Sequence, residues 1–117
     1  MKLRELSEAK PIIDKIFDKL RETKGDWKRV VELTPAYRKL MEKTADLDFN
    51  KNYIFTKWAD KETGRIPPEK QPFADKEYME LLNEEIDIKE LPKFTQDEVE
   101  DVITPVEFAK VWEFIKK

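Results

Sequence analysis

The chain contains no histidine and no cysteine, and only two of its 117 residues are glycine. Without histidine it lacks the side chain that most often acts as a general base near neutral pH, and without cysteine it lacks a thiolate nucleophile. The same two absences remove the usual ligands of zinc, copper and haem iron. We therefore expect no catalytic residue, no metal site and no cofactor, and we expect that the protein is not an enzyme.

Long apolar runs are also absent, while charged side chains make up 42% of the residues and hydrophobic ones 39%. Globular proteins average about 25% charged and about 45–50% apolar residues. This balance favours helices that bury a narrow apolar stripe and expose broad charged faces. No segment approaches the ~18 apolar residues of a membrane span, and the first residues do not resemble a secretory signal. We expect one domain, 1–117, without membrane contact, and the lack of cysteine agrees with a reducing cytoplasm.

Residues 1–59 are predicted to form an antiparallel helical hairpin. The apolar positions of the first helix follow alternating spacings of three and four: Leu6, Ala9, Ile13, Ile16 and Leu20. Ser7 can cap this helix, which places Pro11 near the first turn, where proline does least damage. Gly25 is predicted to close it in a left-handed conformation. Whether Leu3 belongs to the helix or to an extended arm stays open.

The second helix has a longer apolar stripe that Pro35 interrupts. Its positions again alternate between spacings of three and four: Val30, Leu33, Tyr37, Leu40, Thr44, Leu47, Lys51, Ile54 and Trp58. One alternative is a continuous helix that is kinked at Pro35. The other is a short turn over 26–33, followed by a helix in which Thr34 is the cap and Pro35 the first residue. We favour the second alternative.

The rest of the chain is predicted to be a loop, an acidic α/β appendage and a C-terminal helix. Gly64 and three prolines indicate a loop over residues 60–74. In the appendage, 75–103, Asp75 caps a short helix that reaches Asn83, and 86–91 alternates as a strand does. A partner strand is expected at Phe94 and 99–103, although Thr95 to Glu98 also matches a capping box.

The C-terminal helix, 104–117, has the clearest local signature. Thr104 is its predicted cap, Pro105 its first residue, and Glu107 at the third helical position completes a capping box with Thr104. Ile103 and Phe108 occupy the two positions of a hydrophobic staple. The fold class is therefore predicted as mainly α (α+β), with a hairpin, a short helix, a two-stranded β element and a final helix.

Charge is distributed unevenly along the chain. Residues 1–70 carry 17 Lys or Arg and 13 Asp or Glu, whereas residues 75–107 carry 12 Asp or Glu and three Lys or Arg. Such a region can simply be a solvated acidic face, but it can also steer a basic partner. The candidate partner-binding residues are Glu84, Glu85, Asp87, Asp97, Glu98, Glu100 and Asp101. A pI near 5.2 argues against direct nucleic-acid binding.

Two further patterns are interpreted as structural. Asp46, Asp48 and Asn50 have the spacing of calcium ligands, but the sixth and twelfth positions of such a loop are Lys51 and Lys57, so we expect a helix surface there.

The three tryptophans are the second pattern. Trp27, Trp58 and Trp112 could anchor an interface, but each lies on or beside a core stripe, so we favour a structural role for all three. The better candidates for an exposed aromatic patch are Phe49, Tyr53 and Phe55.

Three segments resemble a family of small proteins from tailed phages and prophages of Gram-positive bacteria, a domain of unknown function. They are 11–17 (PIIDKIF), 60–66 (DKETGRI), and 80–88 (ELLNEEIDI) followed by 103–108 (ITPVEF). In this order they span most of the chain. The resemblance implies a phage origin and action in the host cytoplasm, and it transfers no catalytic residue.

We therefore expect a phage accessory protein that binds another protein through its acidic face. The most concrete form of this hypothesis is inhibition of a host defence or nucleic-acid enzyme. The alternative is a virion structural or assembly protein that oligomerises through its helices.

Overall fold

The computed structural model describes residues 1–23, 25–86 and 91–116. Their secondary structure is mainly α, as predicted. The elements are α1 (Leu3–Glu22), α2 (Trp27–Trp58), α3 (Gln71–Leu82), α4 (Gln96–Glu100), α5 (Pro105–Lys110) and a short 3-10 helix (Trp112–Phe114). The molecule is elongated, with extents of 53 × 26 × 24 Å.

Helices α1 and α2 pack against each other, so the predicted hairpin is confirmed. The apolar stripe of α1 is fully buried at its centre, and α2 covers it with Leu33, Tyr37, Leu40, Thr44 and Leu47. Phe17 and Tyr37 stack with ring centroids 4.2 Å apart. The Tyr37 hydroxyl donates a hydrogen bond to the Asp14 carboxylate beside this stack. The hairpin is thus joined by apolar packing and by the hydrogen bond between Tyr37 and Asp14.

The start of α1 differs from the prediction. The helix begins at Leu3, so Ser7 is not its cap and Pro11 lies in its interior, at an exposed position. The earlier start is explained by burial of Leu3 and by a hydrogen bond of 3.0 Å from its amide to the Glu84 carbonyl. At the other end, Gly25 has a positive φ of 94°, which agrees with its predicted left-handed conformation.

Helix α2 is continuous through Pro35, so the predicted break after residue 33 is wrong. Proline removes one helical hydrogen bond, to the carbonyl of Val31, but both residues lie at exposed positions. The Thr34 hydroxyl donates to the Val30 carbonyl at 2.6 Å within the same turn. Burial of Leu33 and Tyr37 against α1 favours one uninterrupted helix, because each large apolar side chain contributes about 1.5–3 kcal/mol when fully buried.

Helix α3 covers the second half of α2. It begins at Gln71 with Pro72 in its first turn, four residues before the predicted cap at Asp75. The ring of Phe73 stacks on Trp58 at 5.4 Å, which ties the start of α3 to the end of α2. The preceding loop contains a turn in which the Asp60 carboxylate accepts the Glu62 amide at 2.7 Å.

The predicted β element is not observed in the described residues. Residues 87–90 of the predicted strand lie outside them, and the predicted partner stretch, 99–103, forms the end of α4 and a turn. The partner strand predicted at 99–103 does not form because Thr95 and Glu98 form the alternative capping box and start α4. Pairing within the described ranges is limited to two single bridges, Lys2 with Glu85 and Phe94 with Ile115.

The C-terminal helix is shorter than the predicted 104–117. Its capping box is confirmed, but α5 ends at Lys110 and a 3-10 turn follows. The helix ends early because Phe94 pairs with the segment that follows it. The Phe94 amide donates to the Phe114 carbonyl at 2.8 Å, and the Lys116 amide donates to the Phe94 carbonyl at 2.7 Å. Both phenylalanine side chains are fully buried. Of the helices in the described part of the chain, none has the length and apolar content to cross a membrane.

Candidate functional site

Helices α4 and α5 form a short unit at one end of the molecule, and each begins with a capping box. The Thr95 hydroxyl accepts the Glu98 amide at 3.3 Å, and the Glu98 carboxylate accepts the Thr95 amide at 2.8 Å. Thr104 and Glu107 repeat this exchange at 3.2 and 3.0 Å. The two glutamates therefore have fixed positions before any contact with the hairpin is considered.

Glu98 also anchors α4 to the start of α2. Arg29 donates from Nε to Oε2 and from Nη2 to Oε1 of Glu98, both at 3.0 Å. The side chains are only 20% and 15% exposed. Burial raises the pKa of the Glu98 carboxyl, but the hydrogen bonds from Arg29 and Thr95 outweigh burial and hold this pKa below its ordinary value. The same bond to Glu98 raises the pKa of Arg29.

Glu107 anchors α5 to α1 in a similar way. Lys15 approaches its Oε2 atom to 2.9 Å. The backbone hydrogen bond from Thr104 and the bond from Lys15 hold the pKa of the Glu107 carboxyl below its usual range. Each short helix is thus fixed by a glutamate that both caps it and pairs with a cation of the hairpin.

Between these two anchors lies an open, mostly apolar cleft of about 270 Å³. It is lined by Gln96, Val99, Glu100, Ile103, Thr104, Pro105 and Phe108. Glu100 is exposed at the cleft, and the side chains of Asp97 and Asp101, nearby in sequence, are exposed as well. The arrangement offers an apolar contact surface that has one carboxylate, Glu100, in its lining.

The six predicted carboxylates that the structure describes do not form one face. Glu84 and Glu85 lie beside the N-terminus of α1, where Glu85 approaches the terminal amine to 3.3 Å. Glu98 lies beside the first turn of α2, which follows the other end of α1. A helix of 20 residues is about 30 Å long. The acidic segment is therefore divided between the two ends of the hairpin, and Asp87 lies outside the described residues.

Of the described members of this set, Asp97, Glu100 and Asp101 are exposed on or next to α4, and Glu100 lines the cleft. Glu98 is used in the fold and is not available to a partner. At the opposite end, Glu84 lines a second groove of about 490 Å³ together with Glu77, Glu80 and Tyr53. In that groove Glu77 pairs with Lys57 at 2.9 Å.

Metal chemistry gains no support from the described ranges. Within them, no three carboxylates are grouped in a way that could hold an ion. The calcium-like pattern at Asp46, Asp48 and Asn50 lies within α2, on exposed positions, as predicted from the lysines that follow.

Several aromatic side chains are placed differently from the prediction. Trp27 and Trp112 are 65% and 49% exposed, so they are not core residues, whereas Trp58 is half-buried. Phe49 and Tyr53 are exposed as predicted, at 72% and 65%, whereas Phe55 is half-buried beside Tyr78. Trp27 is exposed because it lies on the side of α2 opposite the buried stripe that packs on α1.

The lining of the cleft was only partly readable from sequence. Ile103 and Phe108 were recognised as staple residues, which close the entry to α5. Their contribution to a surface cleft depends on Val99, which α4 places beside them. No local pattern signals that juxtaposition.

Comparisons of the chain with protein-family models, with curated proteins and with solved structures give no match. The phage family that the three segments resemble therefore stays a prediction from those segments.

Proposed function

We propose that the chain is a non-enzymatic accessory protein that binds a basic protein segment at the cleft between α4 and α5. The observation that carries this proposal is the combination of an apolar lining, Val99, Ile103 and Phe108, with the exposed carboxylates Asp97, Glu100 and Asp101.

The chemistry of the cleft defines the partner. An apolar side chain can enter it and lose its contact with water, while a flanking lysine or arginine meets Glu100 and the neighbouring carboxylates of the α4 segment. Charges at the rim of an interface mainly raise the association rate and the selectivity for a partner. The apolar lining supplies affinity in proportion to the area removed from water.

The rigidity of the two short helices supports the same proposal. Arg29 with Glu98 and Lys15 with Glu107 fix α4 and α5 on the hairpin from two sides. A surface that is already in place loses little conformational entropy on binding. The inferred phage origin, action in the host cytoplasm and inhibition of a host enzyme rest on the sequence resemblance and belong to this proposal.

Peptide binding tests the proposal. Two fluorescent peptide pools are compared by anisotropy: a central leucine or phenylalanine flanked by lysine and arginine, and the same centre flanked by glutamate. We expect binding of the basic pool only, weakened by salt. The triple variant Asp97→Lys/Glu100→Lys/Asp101→Lys is expected to lose about tenfold in affinity, because each exposed ion pair contributes roughly 0.2–1 kcal/mol and reversal adds repulsion.

The matched control is Glu8→Lys/Glu62→Lys/Glu69→Lys, which makes the same change in net charge at exposed sites outside the cleft. It is expected to bind like the unmodified chain. Equal losses in both triple variants would show that only net charge matters, and this would refute a specific site.

A further inference from the structure

The outer face of α2, turned away from its buried stripe, carries a second pattern. Eight residues lie on this face: Trp27, Val31, Pro35, Arg38, Glu42, Ala45, Phe49 and Tyr53. Successive members are separated by four, four, three, four, three, four and four positions, so the spacing is the same when counted from either end. At 100° per residue these positions lie within a band on one side of the helix. All eight are exposed.

The four large apolar members of this face are strongly exposed. Trp27 is 65%, Val31 64%, Phe49 72% and Tyr53 65% exposed. Two of them lie near each end of a helix of 32 residues, and the charged pair Arg38 and Glu42 lies between them. Neither member of that pair has a hydrogen bond or ion pair with another described residue.

We propose that this face binds a second copy of the same chain, with the two α2 helices antiparallel and a twofold axis beside residue 40. In this register the apolar ends meet: Trp27 lies opposite Tyr53 of the second copy, and Val31 opposite Phe49. At the centre, Arg38 lies opposite Glu42 of the second copy. Every contact occurs twice, as a twofold interface requires.

The chemistry of each facing pair is complementary in this register. Opposite charges meet at the two central positions, and Pro35 faces the small side chain of Ala45. A parallel arrangement in the same register would place Arg38 against Arg38 and Glu42 against Glu42, which is repulsive. The face therefore specifies both the partner and its direction.

The available area is sufficient for a weak or moderate dimer. An aromatic side chain buries about 150–250 Å², and the three on this face are mostly exposed, so together they can bury on the order of 400 Å² per copy. Specific interfaces bury about 800 Å² per partner. Val31, Pro35, Ala45 and the aliphatic parts of Arg38 and Glu42 supply further area along the same 40 Å or so of helix.

Reversing the charges of Arg38 and Glu42, singly and together, tests the antiparallel register. Sedimentation equilibrium of the unmodified chain is expected to show a dimer of twice the 14.0 kDa mass. Arg38→Glu alone and Glu42→Arg alone each put like charges in opposition, and both are expected to be largely monomeric. The double variant is expected to dimerise again, and an equimolar mixture of the two single variants is expected to form a mixed dimer.

The absence of cysteine permits a second readout of the register. With a short thiol-reactive crosslinker, Val31→Cys mixed with Phe49→Cys is expected to give the mixed crosslinked dimer. Each variant alone is expected to give little crosslinked dimer. In this register the thiols of two identical copies are 18 positions apart, which is about 27 Å along the helices.

A chain that stays monomeric up to the millimolar range would overturn the proposal. So would single charge variants that dimerise as well as the unmodified chain, or crosslinking of Val31→Cys with itself. The inference is independent of the cleft between α4 and α5, since the triple lysine variant of the cleft is expected to keep its dimeric mass. The α2 variants are likewise expected to keep their peptide affinity.

Discussion

Among single residues, Glu98 was assigned to a partner-binding face from sequence, yet it fixes α4 to α2. Its capping role was readable because Thr95 lies three residues before it. Its pairing with Arg29 was not, because the two residues are 69 positions apart and no local rule connects them. The distinction matters for experiments, since replacing Glu98 would disturb folding and binding together.

Replacement of Glu98 by glutamine is expected to destabilise the fold by about 1.5–3 kcal/mol at pH 7, the usual range for hydrogen bonds to charged groups. The pKa of this carboxyl is lowered by folding, so its contribution is present above the ordinary value near 4.5 and is lost as pH falls through the lower folded value. Urea unfolding at several pH values should show the gap between variant and unmodified chain narrowing below pH 4.5. The exposed Glu100→Gln is the control, with a change within about 0.5 kcal/mol.

Tyr37 has the opposite pH dependence. Burial and the hydrogen bond to Asp14 raise the pKa of its phenol above the ordinary value of 10. A raised folded pKa means that the contribution is complete below pH 10 and is lost as pH rises further. Tyr37→Phe is expected to cost about 1 kcal/mol at pH 7 through the lost hydrogen bond. Above pH 10, the difference in free energy of unfolding between the variant and the unmodified chain should shrink. A difference that grows with pH would contradict the raised pKa of Tyr37.

At the scale of elements, the hairpin and both capping boxes were predictable because their signals are local and periodic. The start of α1, the continuity of α2 and the length of α5 were not, because tertiary contacts decide them. Leu3 is held by the Glu84 carbonyl after α3, Leu33 and Tyr37 pack on α1, and Phe94 pairs with the segment after α5. In each case a distant partner outweighs the local preference.

The continuity of α2 through Pro35 leads to a stability prediction. Pro35→Ala restores a backbone donor to the Val31 carbonyl and is expected to stabilise the protein by about 1–3 kcal/mol, since proline in a helix interior costs about 3 kcal/mol relative to alanine. Thermal and urea unfolding measure this gain.

Pro11→Ala in the interior of α1 should behave in the same way. The control is Pro105→Ala, because Pro105 is in the first turn of α5, where proline is favourable and no gain is expected. Loss of stability on replacement of Pro35 would indicate that α2 is broken there.

At the scale of the whole molecule, the charge asymmetry of the sequence is real but does not produce one acidic face. The hairpin separates Glu84 and Glu85 from α4 by the length of α1, and two cations of the hairpin neutralise Glu98 and Glu107. The sign of the net charge of each segment can be read from the sequence, whereas the fold decides which carboxylates remain exposed together. At the α4 end, what remains is an apolar cleft with Glu100 in its lining and with Asp97 and Asp101 exposed nearby in sequence.

The most direct test of this account is an ¹⁵N NMR titration of the chain with the basic peptide pool. We expect amide shift changes concentrated in residues 96–108, saturating with peptide and absent with the glutamate-flanked pool. Changes centred on Glu84, Glu85 and the α2–α3 groove, or no changes at all, would contradict the claim that the molecule acts through the cleft between α4 and α5.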